Sequence, residues 1–155
     1  MKTLLGKSVL IVDDDGRMLR ALDKVLTGEG ASVTTAQWGG DALEFLTARK
    51  QRVDLVITDL RMPFVTGITV VFAIHRMFPA LPTIVLTAFS NPAVKAECLR
   101  QGAAAVLEKP LDTAKLMGAI WEVFSEQASS REPALSASDK RPEIFMGSME
   151  TKKTG

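Results

Sequence analysis

The sequence of 155 residues predicts an α/β fold, an open, doubly wound sheet of five parallel strands flanked by five helices. Three observations predict it. Short runs rich in β-branched residues alternate with stretches of helical periodicity. The runs are nearly all apolar, as parallel strands covered on both faces are. Helical stretches open on caps at Asn91 and Asp112 and close on Gly28 and Pro79. Right-handed crossovers then wind the chain into an open sheet, in which ligands bind at the carboxyl ends of the strands.

The elements follow in order. Ser8 to Val12 is the first strand, and the helix after it puts Met18, Leu22, Val25 and Leu26 on one face before stopping at Gly28-Glu29-Gly30. Ser32 to Ala36 is the second strand, and Asp41 to Ala48 a helix with Ala42, Leu43, Phe45 and Leu46 apolar. Asp54 to Thr58 is the third strand, and a helix begins after Gly67 and ends at Pro79. Thr83 to Thr87 is the fourth strand, and Asn91 caps a helix with Pro92 in its first turn. Ala104 to Leu107 is the fifth strand, and Asp112 caps a last helix running to about Gln127. Residues 1–127 are expected to form one domain. Residues 128–155 hold five serines, two prolines and mixed charge around Ile144-Phe145-Met146, which predicts a flexible, disordered tail.

Composition excludes several classes of function. A single cysteine, Cys98, rules out an intramolecular disulfide framework, and a single histidine, His75, rules out His–His metal clusters. Net charge is +1, so the balance points neither to nucleic acid nor to a membrane surface. No apolar run is long enough for a membrane span. Lys7 and the aspartates at 13–15 spoil the start as a signal peptide, so a cytoplasmic location is expected. His75 is expected to be a surface or half-buried residue. Cys98, Trp38 and Trp121 are expected to serve packing.

The chemistry should lie at the strand ends. The first ends in Asp13-Asp14-Asp15, the third in Thr58-Asp59, the fourth in Thr87-Ala88 and the fifth in Glu108-Lys109-Pro110. Each residue alone has a structural explanation: a helix cap, a β-former, a solvated lysine. Together the fold brings carboxylates from two strands to a hydroxyl and an ammonium. Clustered carboxylates repel unless a cation enters. Oxygen ligands without nitrogen or sulfur select Mg2+, with Mn2+ as a substitute. Such a site suits phosphoryl transfer to a carboxylate.

These segments resemble the receiver domain of two-component response regulators. The resemblance rests on Val9 to Asp15, on Asp54 to Pro63 with Gly67, on Ile84 to Ala88, on Gly102-Ala103 and Lys109-Pro110, and on Ala36, Gly39 and Asp41 to Leu43; it covers roughly residues 7–126. It implies a flavodoxin-like sheet with strand order 2-1-3-4-5. It implies that Asp59 is the phosphoacceptor, taking its phosphoryl group from a sensor histidine kinase or phosphotransfer protein. Asp14, Asp59 and the Arg61 carbonyl would bind Mg2+ directly, and Asp13 through water. Lys109 would pair with Asp59 and then with the phosphoryl group, Thr87 and the Ala88 N–H would bind that group, and the bond before Pro110 would be cis. The protein is then a signalling phosphoacceptor rather than an enzyme, with intrinsic Mg2+-dependent self-phosphorylation from small phosphodonors and self-dephosphorylation. Arg61 and Phe89 would flank the path of the hydrolytic water, and neither can act as a base, so a long-lived phosphorylated state is expected.

The pattern also departs from the family. Val106 stands where many receivers carry the aromatic that turns inward on activation, and Phe72 and Ala73 stand where charged residues are usual. Asp13-x-Asp15-Gly16 also resembles the nucleophile motif of haloacid-dehalogenase-type phosphatases. Arg17 replaces the threonine of that family, however, and no acidic pair follows Lys109. A receiver-like scaffold that is never phosphorylated is disfavoured because the acids, the acceptor and the lysine are all present. A DNA-binding output module needs on the order of 60 residues or more, and residues 128–155 cannot supply it. The expectation is therefore a stand-alone receiver acting on a downstream protein, or part of a longer regulator. A phosphorylation-dependent dimer is compatible with either.

Overall fold

The structure, a computed structural model, describes residues 3–88 and 91–130. Five parallel strands form one sheet in the order β2-β1-β3-β4-β5: β1 (Ser8–Val12), β2 (Ser32–Ala36), β3 (Leu55–Asp59), β4 (Thr83–Thr87) and β5 (Ala105–Glu108). The helices between them are α1 (Gly16–Gly28), α2 (Gly39–Ala48), α3 (Gly67–Met77) and α4 (Pro92–Arg100). Residues 113–130 form a further helix, α5. The predicted fold class and strand order are those observed.

The central strands β3 and β4 are buried along their whole length, and β1 from its second residue on. The edge strand β2 has exposed and half-buried residues and no buried one. Leu10 and Val12 of β1 and Val56 of β3 pack with Ala42 and Leu46 of α2 and Val70 and Ile74 of α3. Val85 of β4 packs with Val71 of α3 and Cys98 of α4, so Cys98 is the core residue its sequence context predicts. α1 lies against β1 and β2, and its buried stripe is Leu19, Leu22 and Leu26. That stripe is shifted from the predicted one, leaving Met18 and Val25 half-buried at its margins.

Helix starts follow the capping chemistry. Asp15, Thr66 and Asn91 each accept a backbone N–H in the first turn of α1, α3 and α4. The Asp112 carboxylate does the same for Ala114 at 2.8 Å. α5 continues through residue 130, past the expected end near Gln127, with Leu116, Ile120 and Val123 buried at helical spacing. The chain divides into two compact units, Met1–Leu116 and Met117–Gly155; the sheet, α1–α4 and every site residue described below belong to the first. The predicted tail lies outside the described residues from 131 on, and the Ile144-Phe145-Met146 cluster with it. No helix among the described residues is long and apolar enough to cross a membrane.

Candidate functional site

Backbone pairing decides which side chains meet. The Asp13 N–H donates to the Ala36 carbonyl at 3.1 Å, which continues the β1–β2 ladder past Val12. β3 ends on Asp59 itself, one residue later than the apolar pattern suggested, because Asp59 still pairs in register with Leu86. The Lys109 N–H donates to the Thr87 carbonyl at 2.8 Å, which ties the end of β5 to the end of β4. Asp13, Asp59, Thr87 and Lys109 are thereby brought to one end of the sheet. The Lys109–Pro110 bond is cis, as the sequence resemblance implied.

The three adjacent aspartates take three different positions. Asp15 is exposed and caps α1, its Oδ1 accepting the Arg17 N–H at 2.9 Å. Asp14 is exposed at the mouth of the crevice. Asp13 is 1 % exposed, and both its oxygens are engaged: Oδ1 accepts the Asp15 N–H at 2.9 Å and Oδ2 the Lys109 ammonium at 3.1 Å. Lys109 Nζ also lies 2.9 Å from Asp59 Oδ1, so the lysine bridges two carboxylates where the sequence reading paired it with Asp59 alone.

The electrostatics follow from that bridge. Burial pushes the Asp13 carboxyl above its ordinary pKa; the Asp15 N–H and Lys109 pull against the rise, and the Asp59 charge adds to it. Burial pulls the Lys109 ammonium down, but hydrogen bonds and charge from Asp59 and Asp13 outweigh it, and its pKa ends above the ordinary value. The Asp13 rise is thus led by burial, while the Lys109 rise comes from the two carboxylates that the ammonium faces.

Oxygen atoms of Asp13, Asp14 and Asp59 lie within 4.8 Å of one another. Three carboxylates against one ammonium leave an excess of negative charge that a hard divalent cation would neutralise, and the donor set contains oxygen only. The residues present therefore fit Mg2+. Thr87 is buried beside the cluster at the end of β4, and Ala88 is exposed at the bend after it. Arg61 is exposed two residues beyond Asp59. Phe89 lies outside the described residues.

Sequence reasoning did not find why Gly67 stands where it does. A Cβ there would sit 2.2 Å from the Asp59 carbonyl oxygen and 2.8 Å from Leu60 Cα, and the Gly67 N–H donates to the Leu60 carbonyl at 2.8 Å. The start of α3 is pressed directly on the backbone of Asp59. Gly→Ala in a helix ordinarily gains up to about 1 kcal/mol. Here the clash wins, and Gly67→Ala is expected to cost about 1–3 kcal/mol in urea unfolding. It is also expected to displace the Asp59 carboxylate, because Asp59 moves with the strand end. Trp38 is the second difference. The sequence suggested packing, yet the residue is 41 % exposed and meets Phe64 edge to face. His75 is exposed on α3, away from the strand ends, as expected.

Comparison with known proteins agrees with this geometry. Residues 9–121 match the family model described as the response regulator receiver domain. The transcriptional regulatory protein GlrR of Escherichia coli K12 is 38 % identical over 120 residues, covering 77 % of this chain and 27 % of that protein. The DNA-binding transcriptional regulator NtrC of Klebsiella pneumoniae is 32 % identical over 123 residues, covering 79 % of this chain and 26 % of that protein. The chain thus spans about a quarter of the length of these curated relatives. Among solved structures, a chain of the CheX–CheY–BeF3–Mg2+ complex of Borrelia burgdorferi superposes with a TM-score of 0.74 at 30 % identity, covering 77 % of this chain and 90 % of that one. With matching strand order, converging acids and a family match over most of its length, the chain belongs to the response regulator receiver domain family.

Proposed function

We propose that Asp59 accepts a phosphoryl group from a phosphohistidine on a sensor kinase or phosphotransfer protein, with Mg2+ at the acidic cluster. The observation that carries this reading is the Lys109–Asp59 pair at 2.9 Å, closing on three carboxylates whose oxygens lie within 4.8 Å. Asp14, Asp59 and the Arg61 carbonyl would hold the cation. Asp13, whose oxygens also accept from Asp15 and Lys109, would act mainly through metal-bound water, as the resemblance to the family implies. Mn2+ fits the same donors.

An oxygen of the Asp59 carboxylate attacks phosphorus in line with the leaving imidazole nitrogen; the P–N bond breaks and an acyl phosphate forms. The bound cation supplies positive charge against the phosphoryl oxygens. Lys109 releases the carboxylate and pairs with a phosphoryl oxygen, and the Thr87 hydroxyl and Ala88 N–H donate to the others. Arg61 contributes no base for hydrolysis, which favours a long-lived phosphorylated state, and Phe89 is proposed to shield the same approach. Phosphorylation changes contacts with a downstream protein or an output domain in the same polypeptide. We place this chemistry in the cytoplasm.

The phosphatase alternative, with Asp13 as nucleophile, loses support because Asp13 is 1 % exposed with both oxygens engaged. The test of the receiver reading is incubation with acetyl phosphate and Mg2+ followed by intact mass. One phosphoryl adduct is expected, absent in EDTA, and failure to form it in Mg2+ would contradict the proposal. In the same assay Asp14→Ala removes a direct ligand. The Mg2+ concentration for half-maximal rate is expected to rise by about tenfold or more. If Asp13→Ala raised it much further than Asp14→Ala, the roles within the triplet would be exchanged.

A further inference from the structure

Two exposed aromatic residues lie in loops at the same end of the sheet as the carboxylates and are not among the residues assigned to the cation or the phosphoryl group. Trp38 follows β2, whose last residue Ala36 pairs with Val12 and accepts the Asp13 N–H. Phe64 lies five residues past Asp59 in the loop between β3 and α3. Their rings meet edge to face, with centroids 6.3 Å apart and planes at 65°. The start of α2 packs closely on α3 and on the loop before it: a Cβ on Gly39 would come within 2.9 Å of Val70 and 3.0 Å of Val65. The aromatic pair is thus one platform spanning two loops.

The platform is costly to maintain. Phe64 is 95 % exposed, and its φ of 67° lies in the left-handed region that glycine occupies freely and a bulky residue does not. A glycine would make the same turn without backbone strain and without placing a benzyl group in water. The Trp38 contact returns little of this, since it leaves nearly all of the Phe64 surface wet. A strained, exposed aromatic beside a reactive group points to a contact made with another molecule.

The reaction itself limits what that molecule is. Asp59 is 7 % exposed, at the floor of the crevice. A phosphoryl group carried on a protein imidazole reaches it only when the donor surface comes down onto the rim loops. Asp14, Asp15, Arg17 and Arg61 are all exposed in these loops or the first turn of α1, so the charge there is mixed in sign and does not by itself select an anionic donor. Apolar contact then has to supply attraction that charge does not. Two rings held at a fixed angle suit an apolar patch on the donor surface beside the phosphohistidine.

We infer that the Trp38–Phe64 pair is the docking anchor for the protein that delivers the phosphoryl group to Asp59. The inference rests on Asp59 being the acceptor, and the experiment separates the two. The variants are Phe64→Gly, which removes the ring and relieves the backbone, and Trp38→Ala. The protein donor is the autophosphorylated histidine kinase of the source organism that transfers fastest to the wild-type chain. The small donor is acetyl phosphate, which has no surface to rest on the rim.

Both variants are expected to take phosphate from acetyl phosphate at the wild-type rate. Transfer from the kinase is expected to fall about tenfold or more in kcat/KM, through KM. Unchanged kinase transfer in both variants overturns the inference, and so does a parallel loss with both donors, which would place the aromatics in the chemistry of the site. A wild-type dimer in beryllofluoride that becomes monomeric in the variants, with kinase transfer intact, would also overturn it, making a second copy the occupant. A wild-type chain that takes nothing from acetyl phosphate fails the acceptor reading itself.

Discussion

Asp59→Asn is expected to abolish the phosphoryl adduct formed from acetyl phosphate while leaving the fold intact. The amide is nearly isosteric with the carboxylate, but its oxygen is a far weaker nucleophile. Asp13 is the nearest candidate substitute, and its oxygens are occupied by the Asp15 N–H and Lys109. The adduct should therefore fall below detection rather than move to a neighbour. The variant also loses one negative charge beside Asp13 and Lys109, so metal-free stability should hold or rise, since the Asp59 charge is one of the causes that push Asp13 up. Intact mass and urea unfolding of the same sample check both parts.

Lys109→Ala is expected to produce the largest change in stability. The lysine side chain is 19 % exposed and bridges two carboxylates whose side chains are 2 % and 9 % exposed. Removing one partner of a buried pair leaves uncompensated charge, and the loss in EDTA is expected to be about 3 kcal/mol. Asp13 recovers part of this by taking a proton, because burial already favours its neutral form. An acid whose pKa is raised on folding favours the folded state when protonated. The loss should therefore be smaller at acidic pH and deepen as pH rises through the Asp13 pKa. Mg2+ should restore the variant more than the wild type, since a cation binding the folded state stabilises it by mass action and no longer competes with an ammonium. Metal affinity should be unchanged or higher, with the phosphorylated conformation still impaired. Weaker Mg2+ binding would show that the lysine organises the carboxylates rather than opposing the cation.

What the sequence made legible, and what it hid, follows the range of the interactions. Apolar runs such as Val9 to Val12 and Ile84 to Leu86 are local signals, and the strands formed there. Asp59 was read as the residue after β3 and proved to be its last, because pairing with Leu86 rather than apolar character ends that strand. The convergence of Asp13, Asp59, Thr87 and Lys109 was legible because parallel topology places successive strand ends together. The different surroundings of Asp13, Asp14 and Asp15 depend on a cap and a bridging lysine from the far end of the sequence. The last helix extends past Gln127 through Ser129 and Ser130, whose composition alone resembles the tail. Gly67 and the Trp38–Phe64 pair were missed for one reason: each depends on how closely two loops or a helix and a strand approach. No single-residue pattern encodes that distance.

The most direct test of the central claim locates the phosphoryl group. The chain is phosphorylated with acetyl phosphate and Mg2+, reduced with borohydride, which converts an aspartyl phosphate to homoserine, and digested for peptide mass spectrometry. The account predicts homoserine at position 59 alone, in a sample containing Mg2+ and not in one containing EDTA. Homoserine at position 13 or 14, with Asp59 unmodified, would contradict it.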